Sequence, residues 1–369
     1  GNVDLTEAIA FEDKERALKK KSTDSGEYDL RIAENPKTPS EALLRIGDIT
    51  FPKAEVLVQK NRISKSKEIQ GLLQYGELVN HGPEKGLQFQ IKENAKPLLR
   101  YPHKKNEDIR GCLTLVEKPL IGSYKNAEGK TIKGVPPDVY IVFIDPYYKD
   151  EPKGDQDTIS LGAIYVCKQR SLYFDNKADI DVAWFVGRPG KTEELYDIAI
   201  DLAIWYNGKI QGEIAGGGQG LVDRARIRKV LSRLCFEPIY INNKEVEKIT
   251  KNRSYLMDIS TDEKRLGIQY YVDWLKTIVG IDENGAEIWN LHYIYDQGLL
   301  EEILKYNNKG NFDRISAQIV KMFQLKEILQ EKIKKGSKKK KDFLDSRSLF
   351  GAGNANRQDE LVLLDDAIN

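Results

Sequence analysis

Read for hydrophobic period, the chain changes character near residue 136. Val139–Ile144 is a continuous apolar run rich in β-branched residues, the pattern of a strand buried on both faces, and Asp145-Pro146 ends it. Ile159–Cys167 and Val182–Val186 are predicted as two further strands. Glu193–Tyr206 has helical spacing, with Leu195, Ile198, Ala199, Leu202 and Trp205 on one face. Ile210–Ile214 reads as another short strand, Gly216–Gly218 as a loop, and Val222–Leu234 as a basic helix. Ile239–Ile241 is a short strand candidate, and helices are expected over Asp262–Val279, Gln297–Tyr306 and Asp313–Leu329. Three strands, helix, strand, helix, strand and then helices make an α/β architecture, a mixed sheet with helices on its faces.

Before residue 136 the pattern is weaker. A short amphipathic helix is expected around Leu5–Lys20, and Thr38-Pro39-Ser40-Glu41 reads as the start of a helical run over Glu41–Ile46, stopped by Gly47. Residues 53–135 look rich in strands and turns, with Leu87–Ile91 and Cys112–Val116 as short segments bounded by Pro and Gly. The expected organisation is a linker over 1–52, a small β-rich subdomain or linker over 53–135, the α/β domain over 136–330 and a charged, flexible tail over 331–369. The chain opens on Gly1, not Met, and is expected to be a fragment of a longer protein.

Composition narrows this little. Hydrophobic residues at 40% and charged residues at 31% make a globular balance, and a net charge of +1 advertises no global attraction to nucleic acid, although a local basic groove can hide in a neutral total. Cys112, Cys167 and Cys235 are far apart and form no CxxC pair, which argues against a disulfide framework or a cysteine zinc site. No apolar run reaches the ~18 residues of a membrane span.

Three acids carry the candidate chemistry. Asp145 ends an apolar strand, Glu213 ends another in KIQGEIAGGG, and Asp313 opens a helix in NFDRISAQIVKM. Ligands of open α/β sheets bind at strand ends. Carboxylates gathered there repel one another unless a cation joins them, and two hard cations bridged by carboxylates hydrolyse phosphodiesters. His81, His103 and His292 are too scattered to compete as a zinc site. Each acid alone also has an ordinary reading. Asp145 is a turn former, Glu213 caps the next helix or pairs with Arg224, and Asp313 favours a helix N-terminus.

As a set, residues 136–330 resemble the C-terminal nuclease domain of tailed-phage large terminase subunits. The carrying segments are VFIDPYY (142–148), DTISLGAIYV (157–166), FVGRPGKTEELYDIAIDLAIWYN (185–207), QGEIAGGGQGLVDRARI (211–227), TDEKRLGIQYYVDWL (261–275) and NFDRISAQIVKM (311–322). PKTPSEALLRIGDITFP (36–52) is similar to the segment that follows the terminase ATPase core. The resemblance implies a ribonuclease-H-like fold and a metal-dependent endonuclease that cuts double-stranded DNA during genome packaging. It implies Asp145, Glu213 and Asp313 as ligands of Mg²⁺ or Mn²⁺, expected as two ions, with Asp157 or Asp296 as a further ligand. The family's second carboxylate beside the last Asp is replaced here by Phe312, which leaves Asp296 and Asp258 as fallbacks. It further implies double-stranded DNA, the portal and the small terminase subunit as partners, in the cytoplasm of an infected bacterium.

DNA contacts are expected from Lys264 and Arg265 by resemblance. Arg224, Arg226, Arg228 and Lys229 on the basic helix are candidates that a solvated charged face explains as well. The amides of Gly217 and Gly218 either approach a phosphate or simply form a strand-to-helix loop. Tyr147, Tyr148 and Tyr270 are further candidate contacts, whereas Tyr271 is expected in the core, and the lysines at 338–341 are a solvated tail or a docking segment. GSYKNAEGKT (122–131) imitates a phosphate-binding loop, but the required first glycine would fall at Tyr124, so Asn126–Gly129 is read as a hairpin turn and no ATPase motor is expected in the chain. The rival readings are a Holliday-junction resolvase or transposase-like nuclease, and a non-catalytic DNA- or portal-binding module of the same fold.

Overall fold

The computed structural model describes residues 5–20, 31–32, 35–37, 51–103, 107–126, 128–148, 159–170, 179–239, 253–307 and 310–336. Among them, α1 (Leu5–Lys20), α2 (Lys53–Lys65) and α3 (Lys67–Leu72) precede β1 (Gln74–Asn80), β2 (Leu87–Ile91), β3 (Cys112–Leu115), β4 (Gly122–Lys125) and β5 (Thr131–Gly134). Then come β6 (Tyr140–Asp145), β7 (Gly162–Lys168), β8 (Ile180–Gly187), α4 (Thr192–Trp205), β9 (Lys209–Gly212), α5 (Gly218–Ile227) and α6 (Thr261–Leu275). A β10 (Ile278–Ile281) and β11 (Glu287–Trp289) hairpin, α7 (Gln297–Lys305) and α8 (Asp313–Gly336) complete the order.

Seven strands form one mixed sheet in the order β2-β1-β3-β8-β7-β6-β9. The strands from β2 to β6 in that order pair antiparallel, and β9 returns through α4 to lie parallel to β6. Alternation along β6 divides the core. Tyr140, Val142 and Ile144 pack with Leu195, Ala199 and Leu202 of α4 and Leu221 of α5. Ile141 and Phe143 face the other way, into a cluster with Tyr271 and Trp274 of α6, Leu299 of α7 and Ile319 and Phe323 of α8.

The sheet does not respect the expected division at 135. β1, β2 and β3 extend it beyond β8, with Thr114 opposite Trp184 and Leu115 opposite Ala183. Nor is the region after 53 uniformly β-rich, because α2 opens it and packs on α7. Gln59, inside the buried face of α2, donates to the carbonyls of His292 (3.1 Å) and Ile294 (2.8 Å). The β4–β5 hairpin stands apart from the sheet, and Gly129 (φ 76°) donates to the Asn126 carbonyl at 2.9 Å, as expected of a polar turn.

Several helix and strand ends differ from the sequence reading. α5 stops at Ile227 because Lys229 takes a left-handed φ of 58°, and Leu231–Arg233 forms a separate 3-10 turn. α6 stops at Leu275, since Ile278, Gly280 and Ile281 pair across a turn closed by Asp282 with β11, with Val279 at a shift in the register. β7 begins at Gly162 because Ser160 and Leu161 turn towards α8. Ile239 sends its N–H to Glu327 at 2.9 Å, and the rest of the Ile239–Ile241 candidate lies outside the described residues, as do Glu41–Ile46, Asp157 and residues 337–369.

α8 lies along β6, β7 and β9 with an unusually polar buried side. Arg314 pairs with Glu302 of α7 at 2.8 Å, both fully enclosed. Lys321 pairs with Asp181 of β8 at 2.8 Å, and Gln318 donates to the same carboxylate at 3.0 Å. Further along, Gln324 accepts from Gln211 of β9 at 2.7 Å. No helix of the described residues is long and apolar enough to cross a membrane.

Candidate active site

The parallel register of β6 and β9 pairs Phe143 with Gln211 and Ile144 with Gly212, so the next step sets Asp145 beside Glu213. Gln211 points to α8, and Glu213, two residues on, shares its face. Asp145 likewise shares the face of Ile141 and Phe143. Two carboxylates therefore stand side by side at the carboxyl ends of adjacent parallel strands, on the face that α8 covers. The segment after Glu213 is pinned by its neighbour, since Ile214 donates to the Met257 carbonyl at 2.7 Å and Met257 donates to that of Gly212 at 2.9 Å.

Asp313 enters from the first turn of α8. Its carboxylate accepts from Ser160 Oγ at 3.0 Å, from the Leu161 N–H at 2.8 Å and from Asn311 Nδ2 at 3.0 Å. These bonds fasten it to the start of β7, the strand next to β6. Burial raises its carboxyl above the ordinary carboxylate range, and the three donors oppose that rise. Asp145 is raised further. Burial is the first cause, although part of the residue reaches solvent, and the charges of Asp313 and then Glu213 add to it. Glu213 is raised by burial and by Asp258, and held down by Lys264, whose Nζ lies 3.5 Å from its Oε2. Lys264 owes its place to α6, where Ser260 caps the helix by accepting from the Glu263 N–H (3.3 Å) while Glu263 accepts from the Ser260 N–H (2.7 Å).

The three expected acids thus act on one another. Among the described residues, however, no three histidine, cysteine, aspartate or glutamate side chains stand close enough together to hold a metal ion. In donor type the set fits Mg²⁺ or Mn²⁺. It offers only oxygen, and its mutual repulsion is what a bound cation relieves.

The fallback ligands separate. Asp296 caps α7 by accepting from the Gly298 N–H (2.8 Å), takes a 2.6 Å bond from Tyr165 Oη and lies 3.4 Å from Arg314. It belongs to the buried pairs under α8. Asp258 is exposed and its charge reaches Glu213.

The expected DNA contacts also divide. Arg224 pairs with Asp197 of α4, and Arg228 bridges Asp197 (3.2 Å) and Asp201 (2.8 Å), so both guanidiniums fasten α5 to α4. Arg226 pairs with Asp223 at 2.6 Å on its own helix. Lys264 reaches Glu213, whereas Arg265 is exposed and lies 3.5 Å from Asp262 on its own helix. Gly217 and Gly218 are buried, and a Cβ on them would stand 2.7 Å from the Tyr147 carbonyl oxygen and 2.1 Å from that of Glu213. Their smallness lets the two acidic strand ends approach. Tyr147 is buried and Tyr148 is 71% exposed, which leaves only the second as a rim residue. Tyr271 is in the core as expected, stacked near Trp274.

Arg188 and Ser160 went unrecognised in the sequence. Arg188 Nη1 donates to the Ser160 carbonyl at 2.6 Å, and its guanidinium lies 4.0 Å from the Tyr147 ring centre. It therefore ties the backbone that holds Asp313 to the segment that follows Asp145. The available signal was position, because Arg188 ends a strand paired with the one that Ser160 leads into. The chain matches no protein-family model and no curated protein.

Proposed function

We propose that the chain is a metal-dependent endonuclease with a ribonuclease-H-like domain, of the kind found in phage large terminase subunits. The observation that carries this is the side-by-side placement of Asp145 and Glu213 at the ends of two parallel strands, with Asp313 facing them from α8. The β6–β7–β8 meander, the α4 crossover and the parallel return of β9 support the fold assignment.

Asp145, Glu213 and Asp313 would hold Mg²⁺ or Mn²⁺, which supplies water activation and neutralises charge building on the leaving oxygen. The protein's own work is positional. Ser160, Leu161 and Asn311 orient Asp313, Pro146 and Tyr147 end the strand behind Asp145, and Lys264 and Arg265 present positive charge at the mouth. Double-stranded DNA is the proposed substrate, and the portal and small terminase subunit are the proposed partners, in an infected bacterial cytoplasm.

Plasmid cleavage in Mg²⁺ or Mn²⁺ tests the reading. Asp145→Ala and Glu213→Ala are each expected to lower the rate at least ~100-fold, the scale of losing a charge-stabilising group. Variants that all cut like the parent would end the assignment. The three hydrogen bonds already made to Asp313 and the internal pairing of Arg224 and Arg228 favour one alternative, a non-catalytic DNA- or portal-binding module. Absence of Mn²⁺ binding by calorimetry at millimolar concentration would select it.

A further inference from the structure

Lys264 contributes more to the site than a positive rim. Its side chain is 46% exposed while that of Glu213 is only 11% exposed, so the anion sits fixed inside and the cation reaches in from outside. The base of the reach is rigid, because the Ser260–Glu263 capping box sets the first turn of α6 and the Lys264 N–H donates to the Ser260 carbonyl at 2.9 Å. Beyond it runs a flexible four-carbon stem with three donors. Among the described residues, Lys264 is the cation that acts on Glu213 and Asp145, while Asp313 and Glu302 act on Asp145 and Asp258 acts on Glu213 as negative charges. Arg265, the next cation along the helix, lies 3.5 Å from Asp262 on its own helix.

We infer that Lys264 and a divalent cation compete for the Glu213 carboxylate, and that the ammonium displaced by the cation becomes a phosphate contact for DNA. This rests on the nuclease reading above and adds to it a coupling between cation loading and substrate binding. A divalent ion would bring twice the ammonium's charge to a carboxylate that Lys264 meets at 3.5 Å, and hard cations prefer such oxygen ligands. A half-exposed ion pair is weak, so the exchange favours the ion while Lys264 still lowers its apparent affinity. Released, the side chain no longer has the Glu213 carboxylate as its partner, and linkage requires cation and DNA to strengthen each other's binding.

The test uses the whole chain, with Lys264→Met and the charge-keeping Lys264→Arg, both at an exposed position. Calorimetric titration with Mn²⁺ is expected to show Lys264→Met binding about two- to fivefold tighter than the parent, and Lys264→Arg within about twofold of it. Anisotropy of a labelled duplex in Ca²⁺ and in chelator reads the second half. The slope of log affinity against log salt is expected to steepen by about one on adding Ca²⁺ in the parent, and not in Lys264→Met. Equal or weaker Mn²⁺ binding by Lys264→Met overturns the competition while the nuclease reading stands. A parent slope that Ca²⁺ leaves unchanged overturns the phosphate contact. If the parent binds no Mn²⁺, the nuclease reading falls and this inference with it.

Discussion

Gly217→Ala separates packing from phosphate binding in the loop after Glu213. Gly217 has φ 127°, outside the range that residues with a Cβ adopt readily. The new methyl would lie 2.7 Å from the Tyr147 carbonyl oxygen, 3.2 Å from its carbon and 3.2 Å from Tyr196 Oη. The first two contacts are with backbone and no rotamer change relieves them. Backbone strain of about 1–3 kcal/mol and overpacking of about 1–3 kcal/mol give a total cost of roughly 2–6 kcal/mol. Gly285→Ala is the control, since Gly285 also has a positive φ, 79°, but nothing within 4 Å of the added Cβ. It should lose only the backbone part, about 1–2 kcal/mol. Urea denaturation measures both, at unchanged m-value. A Gly217→Ala chain no less stable than Gly285→Ala would refute the packing argument. If that chain also lost duplex affinity, the glycine loop would be a phosphate cradle after all.

Arg224→Ala combined with Arg228→Ala is expected to cost about 1–2 kcal/mol by loosening α5 from α4, and to leave the salt slope of duplex binding unchanged. A slope reduced by about two would return both residues to the DNA interface. Lys326, stacked 3.9 Å from the Tyr270 ring centre, is lowered by burial from an ordinary 10.5 to about 8. Between those values the unfolded chain binds more protons than the folded one, so stability rises with pH there. Lys326→Met should flatten that rise in thermal unfolding followed between pH 7.5 and about 10; an unchanged profile would count against it.

What was legible depended on whether the signal was local. The apolar run before Asp145 marked β6 within one residue at each end, and the periodicity of Glu193–Tyr206 marked α4 equally well. The strand-end positions of Asp145 and Glu213 were readable because the end of an apolar run announces itself. Their shared face was not, since it follows from the β6–β9 register. α2 was missed because its buried face includes Lys53, Glu55 and Gln59, which interrupts the apolar spacing. The membership of β1–β3 in the main sheet depends on pairing with β8, a contact across some seventy residues of sequence that no window captures. Arg224 and Arg228 looked free for DNA because their acidic partners lie on another helix.

The polar side of α8 has a consequence for how accurately Asp313 is aimed. Apolar contacts are non-directional and tolerate small shifts of a helix on its sheet. This one is indexed, because Arg314, Gln318, Lys321 and Gln324 each meet a specific partner on α7, β8 or β9. Sliding by one residue moves the helix about 1.5 Å and turns it about 100°, which unseats all four at once. Leaving even one buried charge without its partner costs about 3–5 kcal/mol. α8 therefore works like a key with cut teeth, and its tip delivers a carboxylate to one height above the strand ends.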